Sequence, residues 1–378
     1  MSDEQDDKNV LNDLLKGTSD KVSSKTLDTL ISKVGELKES GQSLGNPSAA
    51  KTKKAYGLDI GTSRIVAVKP DGAGGPEATD QLNAFIAVSE TKFLREMLIK
   101  NRMAYTRIKD EIAVLGYDAQ QFANSFNSEI RRPMRKGLIT PQEVYAMPVI
   151  REIINLVLPR PDDVTDLCFS VPAPAPGDAA DLLVFHEGML KQHLLGLGYN
   201  AKSITEGQAI VLSELANDNF TGIGISMGAG MCNVCLSFLS VPVIVFSIAK
   251  GGDDIDASVA RVSNETVNRV RIAKEESLDF TRPPKTNLEN ALVIYYEDLI
   301  MTLLTSLAGI LSRTDKMPRF NASIPIVLAG GTCLPNGFKA KFEHLLKEAN
   351  LPVTISSVRL ARDPLKTTAM GALISASV

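Results

Sequence analysis

Residues 55–68, AYGLDIGTSRIVAV, and residues 222–236, GIGISMGAGMCNVCL, repeat one pattern: an apolar strand, a glycine turn and a second strand. Laid in register, Leu58-Asp59-Ile60-Gly61-Thr62-Ser63 falls on Ile225-Ser226-Met227-Gly228-Ala229-Gly230. Glycine lets backbone amides come close to an anion, and successive N–H groups in a tight turn form a nest for phosphate oxygens. Asp59, at a strand end, suits a water of Mg2+, an ion that keeps several waters and takes few carboxylates. Thr62 and Ser63 add hydroxyl donors. Either segment alone also reads as an ordinary hairpin with a polar turn. A third turn, Gly330-Gly331-Thr332 after the apolar run IPIVLA, makes the set one of two related halves around a phosphate-bearing ligand, with these glycines letting a base or ribose lie on the backbone.

A chain of 378 residues with 44% hydrophobic content is long enough for two globular halves. Its formal net charge of −3 and isoelectric point near 5.8 offer no basic field for a polyphosphate backbone, so no nucleic-acid partner is expected. The start, MSDEQDDKN, lacks the basic and apolar regions of a secretory signal, and the longest apolar stretch, 236–249, is broken by Pro242. A cytoplasmic protein is the expectation. Cys168, Cys232, Cys235 and Cys333 are too few and scattered for a disulfide framework. Cys232 and Cys235, three apart on a strand, point to opposite faces and share no metal. His186 and His193 read as helix-surface histidines.

Residues 1–54 read as a tail and linker rich in Ser, Asp, Lys and Gly. Within it Leu27, Leu30, Val34 and Leu37 recur at 3-4-3 spacing behind Ser23 and Ser24, the pattern of a short amphipathic helix. Three fates stay open: docking on a protein partner or on the body, lying on a membrane surface, or fluctuating in a disordered tail.

From Ala55 the pattern alternates strands and helices, an α/β chain with mixed sheets. Thr140-Pro141-Gln142-Glu143 reads as a capping box opening a helix towards Leu158. A buried strand is expected at 166–171, helices at 178–197 and 206–215, a strand at 243–247, and helices at 253–262 and 265–277. In 288–311, apolar Leu292, Tyr296, Leu299, Leu303, Leu307 and Ile310 alternate with Glu297 and Asp298, which argues for a core-facing helix.

The order and spacing of these turns resemble the actin-like ATPase superfamily, and within it the bacterial actins of the MreB and MamK type. The likeness spans 55–378 and includes RRPMRKGLITPQEV, AKGGDDIDASVARV and the closing RDPLKTTAMGAL. The resemblance implies a two-domain, ribonuclease H-like fold with a nucleotide cleft between domain I (55–218) and domain II (219–357), and an interdomain helix in 358–378 returning to domain I. It implies ATP and Mg2+ as cofactors and self-association into protofilaments. By position it makes Asp59, Gly61, Thr62 and Ser63 the first phosphate turn, with Asp59 towards the metal, and Gly228, Ala229 and Gly230 the second. Gly330, Gly331 and Thr332 become the adenosine turn, Lys274 and Glu275 lie near the nucleotide-contacting helix, and Glu206 orients the attacking water. For Glu206 a helix N-terminal acid favoured by the dipole is the plain alternative, and for Lys274 and Glu275 a solvated helix face.

Two departures qualify that expectation. The second turn of such proteins opens with aspartate; here the position holds Ser226, so one acidic group of the site is gone, although a serine can still bind a metal-bound water. Only about nine residues separate Leu278 from Leu288, where rod-shape actins insert a longer fourth subdomain. Three functions stay in play: an assembling ATPase scaffold, a non-polymerising nucleotide-binding pseudo-ATPase, and a small-molecule kinase of the same superfamily, for which no acidic acceptor motif is evident.

Overall fold

The computed structural model describes residues 54–378 apart from 71–74, 127–128, 176–179, 315–317, 319 and 321. The tail and its Leu27-Leu30-Val34-Leu37 stripe lie outside the described residues.

The repeat seen in the sequence extends over two whole sheets. In the first, β1 (Ala55–Ile60), β2 (Arg64–Pro70) and β3 (Pro76–Leu82) form an antiparallel meander, and β9 (Thr165–Val171) and β10 (Tyr199–Thr205) add parallel strands on the other side of β1. In the second, β11 (Gly222–Met227), β12 (Cys232–Phe238) and β13 (Val241–Ile248) repeat the meander, with β14 (Ile324–Ala329) and β15 (Ile355–Leu360) parallel to β11. The strand order is the same: β10-β9-β1-β2-β3 and β15-β14-β11-β12-β13. The central strands β11 and β14 are buried along their whole length, as strands covered on both faces must be. Asp59 and Ser226 stand at matching positions, each one residue before the end of its strand.

Between β3 and β9 the chain inserts a small three-stranded sheet. It has the order β4-β6-β5, from β4 (Phe85–Ser89), β5 (Tyr105–Ile108) and β6 (Glu111–Leu115). Helices α1 (Lys92–Lys100) and α2 (Gly116–Phe126) supply its core with Leu98, Ala119 and Phe122. The chain returns through a two-residue hairpin, β7 (Met134–Arg135) and β8 (Leu138–Ile139), whose turn residues Lys136 and Gly137 both have positive φ (50° and 74°). Such a turn matches the twist of its flanking strands.

Helix α3 (Ala146–Val157) begins later than its sequence predicts. The Glu143 carboxylate, expected to close a capping box, is taken by Arg131, whose Nη2 lies 2.7 Å from both of its oxygens. Residues 140–145 therefore form turns. Helix α4 (Ala180–Gly196) follows β9 and buries His186, which overturns the surface reading of that residue. Its Nδ1 accepts the Ile139 N–H at 3.3 Å, and burial pushes its pKa down to about 4. His193 is half-buried and lowered in the same direction by burial and by the nearby Arg151 charge.

Two helices tie the halves together. Helix α5 (Glu206–Glu214), continuing from β10 of the first sheet, lies on β11 and β12 of the second and packs Ile210, Val211 and Leu215 against Cys235, Val327 and Ala329. The second half contains α6 (Gly252–Ser263), α7 (Val267–Glu276), α8 (Asn287–Arg313) and α9 (Phe338–Glu348). Helix α10 (Thr367–Ser377), at the end of that half, crosses back and packs Ala369, Ala372 and Leu373 on the first sheet. Where α5 and α10 cross, a Cβ on Gly371 would stand 1.8 Å from the Ala209 carbonyl oxygen, so no side chain fits.

By length and composition α8 could span a bilayer, yet its stripe Leu292, Tyr296, Leu299, Leu303 and Leu307 is fully buried. Its acids face outward to cations: Glu297 to Lys341 at 2.7 Å and Asp298 to Lys250. The 278–286 connection carries no helix or strand. Arg282 ties it down, its Nη1 2.9 Å from Glu289.

Candidate functional site

The two glycine turns are built alike. Gly61 N–H donates to Arg64 O at 2.9 Å and Gly228 N–H to Met231 O at 3.0 Å, each closing a tight bend at the end of a central strand. They approach one another across the cleft: a Cβ on Gly230 would lie 2.4 Å from Thr62 Oγ1 and 2.6 Å from Gly137 N. Thr62 Oγ1 accepts the Gly137 N–H at 3.0 Å, which ties the first turn to the β7–β8 hairpin. The third turn closes the set, with Thr332 Oγ1 donating to Gly228 O at 2.9 Å. Gly330 has φ of 95° and packs on Met227, a fit that only glycine allows.

A cavity of about 330 Å³ opens between these turns, within the range of small-molecule sites. Asp59, Gly61, Thr62, Ser63, Glu206, Ser226, Gly228, Ala229, Gly230, Lys274, Glu275, Gly330, Gly331 and Thr332 all line it. The sequence-derived candidates are therefore one constellation in space. The cavity is also lined by Arg132, Asp253, Asp256 and Arg271, to which the sequence reading assigned no role in it. Arg132 and Asp253 sit inside the quoted RRPMRKG and AKGGDDID stretches, so the signal was present as segments. Asp253 lies in the first turn of the helix Gly252–Ser263. The cap position is Gly251, whose N–H is taken by Asp254, and Asp253 pairs with Arg132.

Two carboxylates, Asp59 and Glu206, face each other beside the first two glycine turns. Asp59 Oδ1 accepts from Ser170 Oγ at 2.6 Å, and Ser170 Oγ accepts the Ile60 N–H at 3.0 Å. Glu206 Oε2 accepts from Ser226 Oγ at 2.7 Å. Burial raises Asp59 to about 6. Burial and then the Asp59 charge raise Glu206 to about 8, against the pull of Ser226 and Asn233. Glu206 thus takes the first proton of the pair, and a cation between the two would release it. Among the described residues no group of three or more His, Cys, Asp or Glu side chains is placed to hold a metal by itself. Two carboxylates beside two amide-lined turns fit an ion carried in largely by phosphate and water, as Mg2+ is. In such a site Asp59 would hold the ion or its water, and the ion would neutralise phosphate charge.

Lys274 is buried, its Nζ 2.8 Å from Asp256 Oδ2 and 3.1 Å from Gly252 O. It is therefore a committed cation, not a solvated helix face, and it braces α6 against α7.

The family model described as Volactin matches residues 54–376, which takes in both sheets and every element lining the cavity. The chain belongs to the volactin family. Three solved structures show that this family member has the two-domain fold of the actin-like ATPases. The MamK double helical filament superposes with a TM-score of 0.65 at 18% identity, covering 86% of this chain and 99% of that one. MreB 5 of Spiroplasma citri bound to AMPPNP gives 0.59 at 16% identity, over 86% and 96% of the chains. A non-polymerising MamK mutant bound to AMPPNP gives 0.54 at 19% identity, over 87% and 100%. No curated protein matches the volactin-family chain by sequence.

Proposed function

We propose that the chain is a cytoplasmic actin-like protein that binds Mg-ATP in the cleft between its two sheets and couples nucleotide state to self-assembly. The observation that carries this reading is the meeting of the Gly61–Ser63 and Gly228–Gly230 turns, one from each half, over the Asp59–Glu206 pair. A triphosphate held by both turns draws the halves together and favours one closed arrangement. In this reading the turn amides and the Thr62 and Ser63 hydroxyls bind phosphate oxygens. The Gly330–Thr332 turn, with Lys274 and Glu275, bounds the nucleoside. Glu206 orients a water for attack, a task that rests on positioning rather than covalent chemistry. Proteins of the same fold, the MamK filament and the AMPPNP complexes of MamK and MreB 5, support both halves of the proposal.

Two features favour a second reading, a nucleotide-binding protein that regulates an assembly without turnover. Ser226 supplies no charge for a metal and instead spends its hydroxyl on Glu206, and the 278–286 connection offers no fourth subdomain for longitudinal contacts. Sedimentation and phosphate release, followed together in ATP, ADP and no nucleotide, separate the two. Pelleting with ATP and release of phosphate support the assembling ATPase; a supernatant protein that binds ATP without release supports the regulator. Absence of nucleotide binding in magnesium buffer removes both.

A further inference from the structure

Resting on the nucleotide reading of the cleft, one cation is placed to tell a triphosphate from a diphosphate. Among the described residues, four basic side chains line the cavity. Arg64 is held by Asp80 at 2.5 Å and by the Tyr117 hydroxyl, and Lys274 is locked to Asp256. Arg271 leans on Asn268 of its own helix, its Nη2 2.8 Å from Oδ1. Of these four, Arg132 alone reaches across from one half of the molecule to the other, its Nη1 2.6 Å from both oxygens of Asp253.

Both members of that pair are attached to the phosphate turns. Asp253 N–H donates to Ala229 O at 2.8 Å and the neighbouring Gly252 N–H to Gly228 O at 3.1 Å. Arg132 leads into the β7–β8 hairpin, whose Gly137 N–H is bound by Thr62. The ion pair therefore stands beside the two turns where a terminal phosphate would end. Its acid is the easier partner to leave: Asp253 is 38% exposed against 20% for Arg132, and it sits in the first turn of α6, where the helix dipole stabilises a carboxylate without a counter-ion. A phosphate, with more charge and a geometry that matches the guanidinium fork, outcompetes a single exposed carboxylate for Arg132.

We propose that Arg132 is a specificity-determining residue that exchanges Asp253 for the terminal phosphate of a nucleoside triphosphate. A nucleoside diphosphate, one phosphate shorter, leaves Arg132 on Asp253. The exchange is one of hydrogen bonds and charge only, and it makes the contact between the two halves dependent on the third phosphate.

The test is calorimetric titration of the full chain with Mg-ATP and with Mg-ADP, in wild type, Arg132→Gln and Asp253→Asn. Wild type prefers ATP, and Arg132→Gln weakens ATP about tenfold, the worth of one charge-assisted hydrogen bond, while ADP stays within about twofold. Asp253→Asn, which releases Arg132, tightens ATP by about threefold. The proposal is overturned if Arg132→Gln weakens both nucleotides alike or leaves the ATP preference intact, or if Asp253→Asn weakens ATP. Should Arg132→Gln fail to fold, Asp253→Asn decides by the same signs. A wild type that binds neither nucleotide defeats the cleft reading itself, and this inference with it; wild-type binding with an unchanged preference in Arg132→Gln defeats only the inference.

Discussion

Glu206→Gln should make the ligand-free protein more stable, and only on the alkaline side. Glutamine keeps the shape of the side chain and an oxygen for the Ser226 hydroxyl, now 2.7 Å away, but removes the charge. In the folded chain Glu206 is raised from its ordinary 4.5 to about 8, by burial first and by Asp59 second. Because the folded state holds the proton more tightly than the unfolded chain does, stability from this group is complete below about pH 4.5 and is lost as pH climbs to about 8. At about 1.4 kcal/mol per pH unit the whole window amounts to ~5 kcal/mol. Glu206 keeps part of its surface in the open cavity, and solvent screening there brings the expected effect to about 2 kcal/mol. For a body of this size that is a rise of about 3 °C in the melting midpoint. The assay is thermal unfolding of wild type and variant, without nucleotide or divalent ion, in buffers from pH 5 to pH 8. The difference should be near zero at pH 5 and grow steadily to pH 8. A variant that melts below wild type at pH 8, or a difference that ignores pH, would show that the carboxylates are not in conflict and refute the electrostatic account of the site.

The same conflict sets metal dependence. Protons compete with a cation for Asp59 and Glu206, raised to about 6 and about 8, so Mg-ATP affinity measured by calorimetry should fall from pH 8 to pH 6. Asp59→Asn should remove the magnesium dependence. Lys274→Met should lose about 3–5 kcal/mol in urea unfolding because it strands the buried Asp256 carboxylate. Adding Asp256→Leu should restore most of that loss, and a double variant no better than the single would refute the pairing. Gly371→Ala, which forces a methyl within 1.8 Å of the Ala209 carbonyl, should lose ~3 kcal/mol or more by the same assay, because only backbone can yield. Gly309→Ala, with nothing within 4 Å, should be neutral or gain up to ~1 kcal/mol.

The parts of the cleft that the sequence displays are those fixed by backbone geometry. Gly61, Gly228 and Gly330 are demanded by tight turns and close approach, and such demands appear in any copy of the pattern. The buried strands around them show as unbroken apolar runs for the same reason. What stayed hidden depends on side chains that meet across long separations. Glu143 looks free to cap a helix until Arg131 claims it, and Arg132 lies 121 residues from Asp253. His186 is illegible for a different reason: α4 carries Leu182, Val184 and Phe185 on exposed faces as well as Leu190 and Leu194 inside, so no stripe marks which way the imidazole turns. Ser226 could be seen as a missing acid, but not that its hydroxyl restrains Glu206.

The exchange of α5 and α10 sets a rule for how this polypeptide is made. Ile210, Val211 and Leu215 come off the first sheet's last strand yet finish the second sheet's interior, and the chain's final helix finishes the first. Neither half is a self-sufficient unit of translation: a ribosome that has released only the N-terminal portion leaves Ala55, Val66 and Cys168 uncovered until residues 369–376 emerge. Severed in the short turn Ala216–Asp218 that follows Leu215, the two fragments should each precipitate alone and regain solubility when produced side by side.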